Sequence, residues 1–163
     1  MTGWFRPASW LLGRIDAERA HRLTLWLLRH APLPPTAPDD PILQCRLFGR
    51  SFANPVGIAA GFDKNAEAVA PLLRLGFGFV EFGSVTPRPQ AGNPRPRLFR
   101  LAEDRAVINR MSFNNAGMEV YLANLAAYPR GVAPEGANVG INKEGAEPER
   151  DYPRLIAAVA PHA

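Results

Sequence analysis

The chain has 163 residues, 47% of them hydrophobic, with 19 lysines and arginines against 15 acidic residues and a net charge of +4. That is enough apolar material for one domain with a real core and too little for two, and it excludes a chain disordered throughout. A single cysteine, Cys45, excludes an internal disulfide framework. No His or Cys stands at metal-ligand spacing from it, so no metal is expected. The basic residues are scattered and lack the interleaved aromatics of single-strand binders, which argues against a nucleic-acid partner.

In chain order, residues 4–30 read as two amphipathic helices. Trp4, Phe5, Trp10, Leu11, Leu12 and Ile15 fall near one face, and Asp16 can cap a second helix carrying Ala20, Leu23, Trp26 and Leu27. Arg6, Arg14, Arg19, Arg22 and Arg29 ring them. Arg14, Asp16, Glu18 and Arg19 interrupt any apolar run well before the ~20 residues of a spanning helix, and a signal peptide does not fit either. Two readings stand: a hairpin lying in the membrane interface, or a helical lid packed on the domain's own core. Residues 31–41 contain five prolines and two aspartates, the composition of a semi-rigid linker.

Leu43 to Phe48 and Ser51 to Asn54 flank Gly49-Arg50, a hairpin turn. The rest of the chain is organised around the next stretch, Asn54-Pro-Val-Gly-Ile-Ala-Ala-Gly-Phe-Asp-Lys-Asn65. Val56 to Ala60 reads as a buried strand stopping at Gly61, and Asp63, Lys64 and Asn65 stand where a helix should begin, with amide donors free. Lys64 is one of two lysines beside 17 arginines. It suits a task that needs a compact cation, although an ordinary turn with a solvated lysine reads the same way.

A helix is expected from Asn65 to Leu75, split by Pro71. Gly76-Phe-Gly-Phe-Val-Glu-Phe-Gly83 looks superficially like a dinucleotide loop, but its glycines precede a strand at Phe79 to Val85 instead of following one. After a proline-rich loop come short strands at Leu98 to Leu101 and Ala106 to Ile108. Next is Asn109-Arg-Met-Ser-Phe-Asn-Asn115, whose three asparagines suit a carbonyl-rich ligand or a structural turn equally. Gly117 to Tyr128 reads as a helix with Met118, Tyr121, Leu122 and Leu125 as a core stripe. Ala137 to Ile141 reads as a strand ending on Asn142-Lys143, and a last helix covers about 151–160.

Alternating strands and helices imply an α/β fold with a parallel sheet. The polar clusters at Asp63-Lys64, Ser84 to Thr86 and Asn142-Lys143 all fall at strand ends of the same sense, where a (β/α)8 barrel keeps its active site. A whole TIM barrel takes ~250 residues. The expectation is therefore the first three or so strand-helix units of such a barrel, preceded by an N-terminal helical hairpin. Its parts would be a membrane-associating extension at 1–31, a linker at 32–41 and a truncated barrel at 42–163.

The segments 54–65, 76–90, 92–100, 108–115 and 138–143, taken with Asp16-Ala-Glu-Arg-Ala-His-Arg-Leu23, closely resemble the amino-terminal portion of class 2, quinone-dependent dihydroorotate dehydrogenases. The resemblance implies FMN-dependent oxidation of dihydroorotate to orotate in pyrimidine biosynthesis, with electrons passed to a membrane quinone. It implies flavin contacts from Ala60, Gly61, Phe62, Asp63, Lys64, Ser84 and Asn138, and substrate contacts from Lys64, Asn109, Arg110, Met111, Ser112 and Phe113.

Residues 4–30 would form the quinone entrance and a peripheral attachment to the cytoplasmic side of the cell membrane. The proton-abstracting Ser of the family is expected beyond Ala163, so this chain alone is expected to be inactive. Ser112 stands where the family usually has Gly, which would strain the loop if that position needs a positive φ. The alternatives are a soluble class 1 dihydroorotate dehydrogenase and a non-catalytic membrane-binding module.

Overall fold

A computed structural model describes residues 5–33, 36–128 and 135–162. The expectations that touch Trp4, Pro34, Pro35 or Ala163 lie outside the described residues. The order is α1 (Phe5–Arg14), α2 (Ala17–His30), a 3₁₀ turn (Pro41–Leu43), β1 (Cys45–Leu47), β2 (Arg50–Phe52), β3 (Gly57–Ile58) and α3 (Val69–Arg74). Then come β4 (Phe79–Val85), β5 (Leu98–Leu101), β6 (Ala106–Asn109), α4 (Met118–Ala126), β7 (Glu135–Val139), α5 (Pro148–Val159) and a final 3₁₀ turn (Ala160–His162).

β3, β4 and β7 form one parallel sheet in that order, with Gly57 opposite Phe79 and Val80 opposite Glu135. The two-residue period of β4 sends Val80 and Phe82 into the helix layer. There they are buried with Leu72 and Leu73 of α3, Tyr121 and Leu125 of α4, and Leu155 and Val159 of α5. Phe79 belongs to the other face and meets the β1–β2 hairpin, its ring edge-on to Phe52 at 5.8 Å. A parallel sheet with its helices packed on one side is the wall of a (β/α)8 barrel, as the alternation implied.

Several boundaries differ from expectation, each for a local reason. The strand expected at Val56 to Ala60 is only Gly57–Ile58, and Val56 is 60% exposed. β3 is an edge strand that pairs with β4 alone, so among the described residues no strand extends the ladder on its other side. The helix expected from Asn65 begins only at Val69. The Asp63 carboxylate accepts from the amides of Glu67 (2.9 Å) and Ala68 (2.7 Å), and Ala66 has a φ of 56°, so the chain turns before it can coil. Those amides are engaged, not free. Pro71 then falls in the first turn, where its missing N–H has no intrahelical partner to lose, and it splits nothing.

The β1–β2 turn is centred on Phe48-Gly49, one residue before the expected pair. Both φ values are positive, 52° and 72°, the pattern of a type I′ hairpin turn. β7 lies two residues upstream of the expected strand, and α5 starts at Pro148, a position that suits proline because its fixed φ is already helical. The stretch after α2 is less of a free linker than its prolines suggest. Buried Asn54 donates to the Asp39 carboxylate (2.6 Å) and the Gly76 carbonyl (2.9 Å), and it accepts from the Val56 amide (2.9 Å).

Asp16 caps α2 as expected, accepting from the Arg19 amide at 2.9 Å. The apolar face expected on that helix is divided, however. Ala20 and Leu28 are buried, while Leu23, Trp26 and Leu27 lie exposed on another side. His21 holds α2 to the loop after β3, with Nε2 2.5 Å from the Phe62 carbonyl and its ring edge-on to Phe62. Trp10 and Leu11 of α1 are exposed as well, and the Arg14 guanidinium lies 3.7 Å over the Trp10 ring. The hairpin therefore covers part of the domain and still presents large apolar side chains outward. No described helix is long and apolar enough to cross a membrane.

Candidate functional site

The site grows from the carboxyl ends of β3 and β4. The Gly61 amide donates to the Gly83 carbonyl (2.7 Å), and the Gly83 amide donates to the Asp63 carbonyl (3.0 Å), which stitches residues 61–63 to the end of β4. At Gly83 the register between β4 and β7 slips. Gly83 has a φ of 113°, and a Cβ there would overlap the Asn138 carbonyl, so the close approach of the two strands requires glycine.

Just after this junction the Lys64 side chain turns inward and is buried. Its only hydrogen-bond acceptor among the described residues is the Ser112 carbonyl, at 3.3 Å. An ammonium has three N–H donors, so two directions are left for a ligand. Burial pushes its pKa down, and the positive charge of Arg97 pushes in the same direction.

Across the strand ends, Ser84 donates its hydroxyl to the Asn138 side-chain carbonyl, and Asn138 donates its amide to Glu81 (2.9 Å). The Phe113 ring lies against Gly140, where a Cβ would sit 3.3 Å from the ring and 3.7 Å from the Ser84 Cβ. A chain of neighbours thus runs from Lys64 through Ser112 and Phe113 to Ser84 and Asn138. Ser112 has a φ of 64°, the left-handed conformation in which glycine would be unstrained.

The other expected residues divide. The Met111 side chain is buried, and Asn109 accepts from the Met111 amide (2.9 Å), which shapes the segment. Arg110 turns the other way, donating to the Pro96 carbonyl (3.0 Å) and lying over the Phe99 ring. Ala60, Gly61 and Phe62 are half-buried along the same loop. The Asp63 carboxylate faces the start of α3, so any contact it made with a ligand would come from elsewhere on the residue. Burial raises its pKa against the opposing pull of those amides.

A cleft of about 420 Å³ lies between α2 and this loop, lined by His21, Asp63, Lys64, Arg97, Met111 and Asn114 among others. The Asn114 Oδ1 on it is buried, with no hydrogen-bond partner among the described residues. On this one cleft Lys64 has unfilled donor directions and Asn114 an unfilled acceptor, a lining that suits a ring carrying both carbonyls and an N–H, as a flavin does.

Sequence reasoning missed two features. One is a network at the ends of β4 and β7. Asn142 donates to Thr86 (3.3 Å), to the Arg88 carbonyl (2.9 Å) and to Gln90 (3.2 Å), and Asn115 donates to Thr86 (2.9 Å). Thr86 is wholly buried in it. The clustering of Thr86 and Asn142 at strand ends was visible, but their partners Gln90 and Asn115 were not. The other is Glu18, which meets Arg95 and Arg97 from almost eighty residues away with no local signal.

The family model for dihydroorotate dehydrogenase matches residues 42–163. Dihydroorotate dehydrogenase (quinone) of Rhodopseudomonas palustris strain BisB5 is 60% identical over 153 residues, covering 94% of this chain and 42% of the relative. The protein of that name from Rhodospirillum rubrum is 56% identical, covering 100% of this chain and 44% of the relative. Among solved structures, the enzyme of Eimeria tenella in complex with ferulenol superposes with a TM-score of 0.83 at 41% identity, over 96% of this chain and 44% of that one. Its ligand-free form gives 0.82 at 43% identity, over 91% of this chain and 43% of that one. The chain spans less than half the length of these relatives. With the match running from the β1–β2 hairpin to α5 and the sheet superposing on theirs, the chain belongs to the dihydroorotate dehydrogenase family.

Proposed function

We propose that this chain forms the flavin-facing and substrate-facing beginning of a quinone-dependent dihydroorotate dehydrogenase. The whole enzyme would oxidise dihydroorotate to orotate in pyrimidine biosynthesis and deliver the electrons to a membrane quinone. The observation that carries the reading is Lys64, a buried ammonium at the end of the first sheet strand whose sole acceptor among the described residues is the Ser112 carbonyl. The names of the relatives point the same way.

The loop from Ala60 to Lys64, with Ser84 and Asn138, would hold FMN, which when bound supplies a two-electron acceptor. Lys64 would set a fixed positive charge beside the electron-rich ring or the orotate carboxylate, where a charge positioned in advance needs no reorganisation. The segment from Asn109 to Phe113 would hold the substrate, with Asn109 and Met111 shaping the loop and Phe113 closing it against Gly140. The proton-abstracting Ser expected beyond Ala163 would complete the site.

Residues 1–31 would attach the enzyme to the cytoplasmic side of the cell membrane, followed by a linker at 32–41 and the barrel from 42. The exposed Trp10, Leu11, Leu23, Trp26 and Leu27 favour this over the soluble class, since a lid on its own core has no need of them. A full-length protein containing this segment should purify with flavin, reduce ubiquinone or menaquinone analogues with dihydroorotate, and sediment with anionic vesicles. Turnover with fumarate or NAD instead of quinone would place it in the soluble class. Vesicle binding without flavin would make it a membrane-binding module.

A further inference from the structure

Glu18 opens the buried face of α2, and two arginines from the loop before β5 close on its carboxylate. Oε1 accepts from Arg95 (2.8 Å) and Arg97 (2.7 Å), and Oε2 accepts from the Nε atoms of the same residues (3.1 and 3.0 Å). Each guanidinium is therefore bidentate on one carboxylate, the geometry that makes an arginine pair both strong and directional. Glu18 and Arg97 are both buried, whereas Arg95 is 62% exposed.

The guanidinium of Arg97 does not stop at Glu18. Its Nη1 donates to the Ala91 carbonyl (2.5 Å) and the Asn93 carbonyl (2.9 Å). Asn93 in turn holds the segment that reads as substrate-binding. Its amide donates to the Met111 carbonyl (3.2 Å) and its side chain donates to the Arg110 carbonyl (2.8 Å), while the Arg110 amide donates to the Arg97 carbonyl (2.9 Å). One residue further on is Ser112, in its left-handed conformation, with its carbonyl facing Lys64. A single guanidinium thus joins the helical hairpin to the loop opposite the lysine.

We propose that Glu18 is a positioning residue for the substrate segment: by locking Arg97 in its fork it fixes residues 91–93 against Arg110 and Met111 and so sets the Ser112 carbonyl opposite Lys64. The proposal rests on the reading of residues 109–113 as the substrate segment. A carboxylate that only pinned α2 to the domain would need neither the second arginine nor the onward bonds of Arg97. Arg97 would also face Lys64 without its counter-charge if Glu18 were neutral, so the two cations would repel across the cleft.

The test uses the full-length, FMN-loaded enzyme and reads orotate binding by calorimetry, KM and kcat for dihydroorotate, and the thermal midpoint. Glu18→Gln is expected to weaken orotate roughly ten-fold and to raise KM in proportion, with kcat at saturation changed less than about two-fold. Arg97→Lys keeps the charge but cannot grip a carboxylate and two carbonyls at once, and should weaken orotate by a similar factor.

Asp16→Ala is the control. It removes the cap of the same helix without touching either arginine, so it should lower the thermal midpoint and leave orotate affinity within about two-fold. Unchanged orotate affinity in a folded Glu18→Gln or Arg97→Lys protein would overturn the proposal. Equal weakening in Asp16→Ala would overturn it too, because loosening of the helix would then explain the effect. Wild-type enzyme that does not bind orotate would instead remove the functional reading, and the proposal with it.

Discussion

Two side chains at the substrate loop show how a single position can set local chemistry. Ser112 has a φ of 64°, a conformation that costs an ordinary residue about 1 to 2 kcal/mol. Its carbonyl is the one that receives the Lys64 ammonium, so the strained residue is the one that aims the acceptor. In the full-length protein, Ser112→Gly should raise stability by up to about 1 kcal/mol, less whatever the glycine loses through a freer unfolded chain. Urea denaturation measures it, and a clear loss of stability would show that the Ser112 side chain contributes more than its backbone strain. The positive φ that a serine at this position made a concern is the conformation present.

Among the elements, α2 carries the most information. Its Asp16 cap was legible in the sequence because capping is local. Its burial was not, because the partners of Glu18 lie in the loop before β5, and a pairing across so many residues leaves no periodic trace. The same distinction runs through the chain. β4, β5 and β6 were readable as short apolar runs bounded by glycine, proline or charged turn residues, although their pairing was not. The late start of α3 was not readable, since it depends on the Asp63 carboxylate turning back onto the amides of Glu67 and Ala68.

The Glu18 clasp also makes a prediction about pH. Arg97 above all, together with Arg95, holds the Glu18 pKa at about 2 against an ordinary 4.5, in spite of burial. A carboxylate whose folded pKa is depressed contributes stability that is whole above its unfolded pKa and fades as the pH falls toward the folded one. The advantage of wild-type protein over Glu18→Gln in thermal midpoint should therefore be full near pH 6 and shrink steadily between about pH 4.5 and 2. An advantage that stays constant across that window would mean the clasp is not ionic.

At the scale of the whole molecule, the described sheet has three strands, and among the described residues both β3 and β7 pair on one side only. The residues proposed for flavin and substrate, Arg110 apart, gather toward one end of this partial wall, and the relatives are more than twice as long. The purified 163-residue chain should accordingly show no dihydroorotate turnover and weak or absent flavin binding. A yellow preparation with one flavin per chain would contradict that.

The sharpest test of the account concerns Lys64 in the full-length enzyme. When dihydroorotate is mixed with the FMN-loaded protein under anaerobic conditions, the flavin absorbance should bleach rapidly. With Lys64→Ala the bleaching should be slower by roughly a hundred-fold or the flavin should be lost. Bleaching at the wild-type rate, with flavin fully retained, would contradict the role assigned to this lysine.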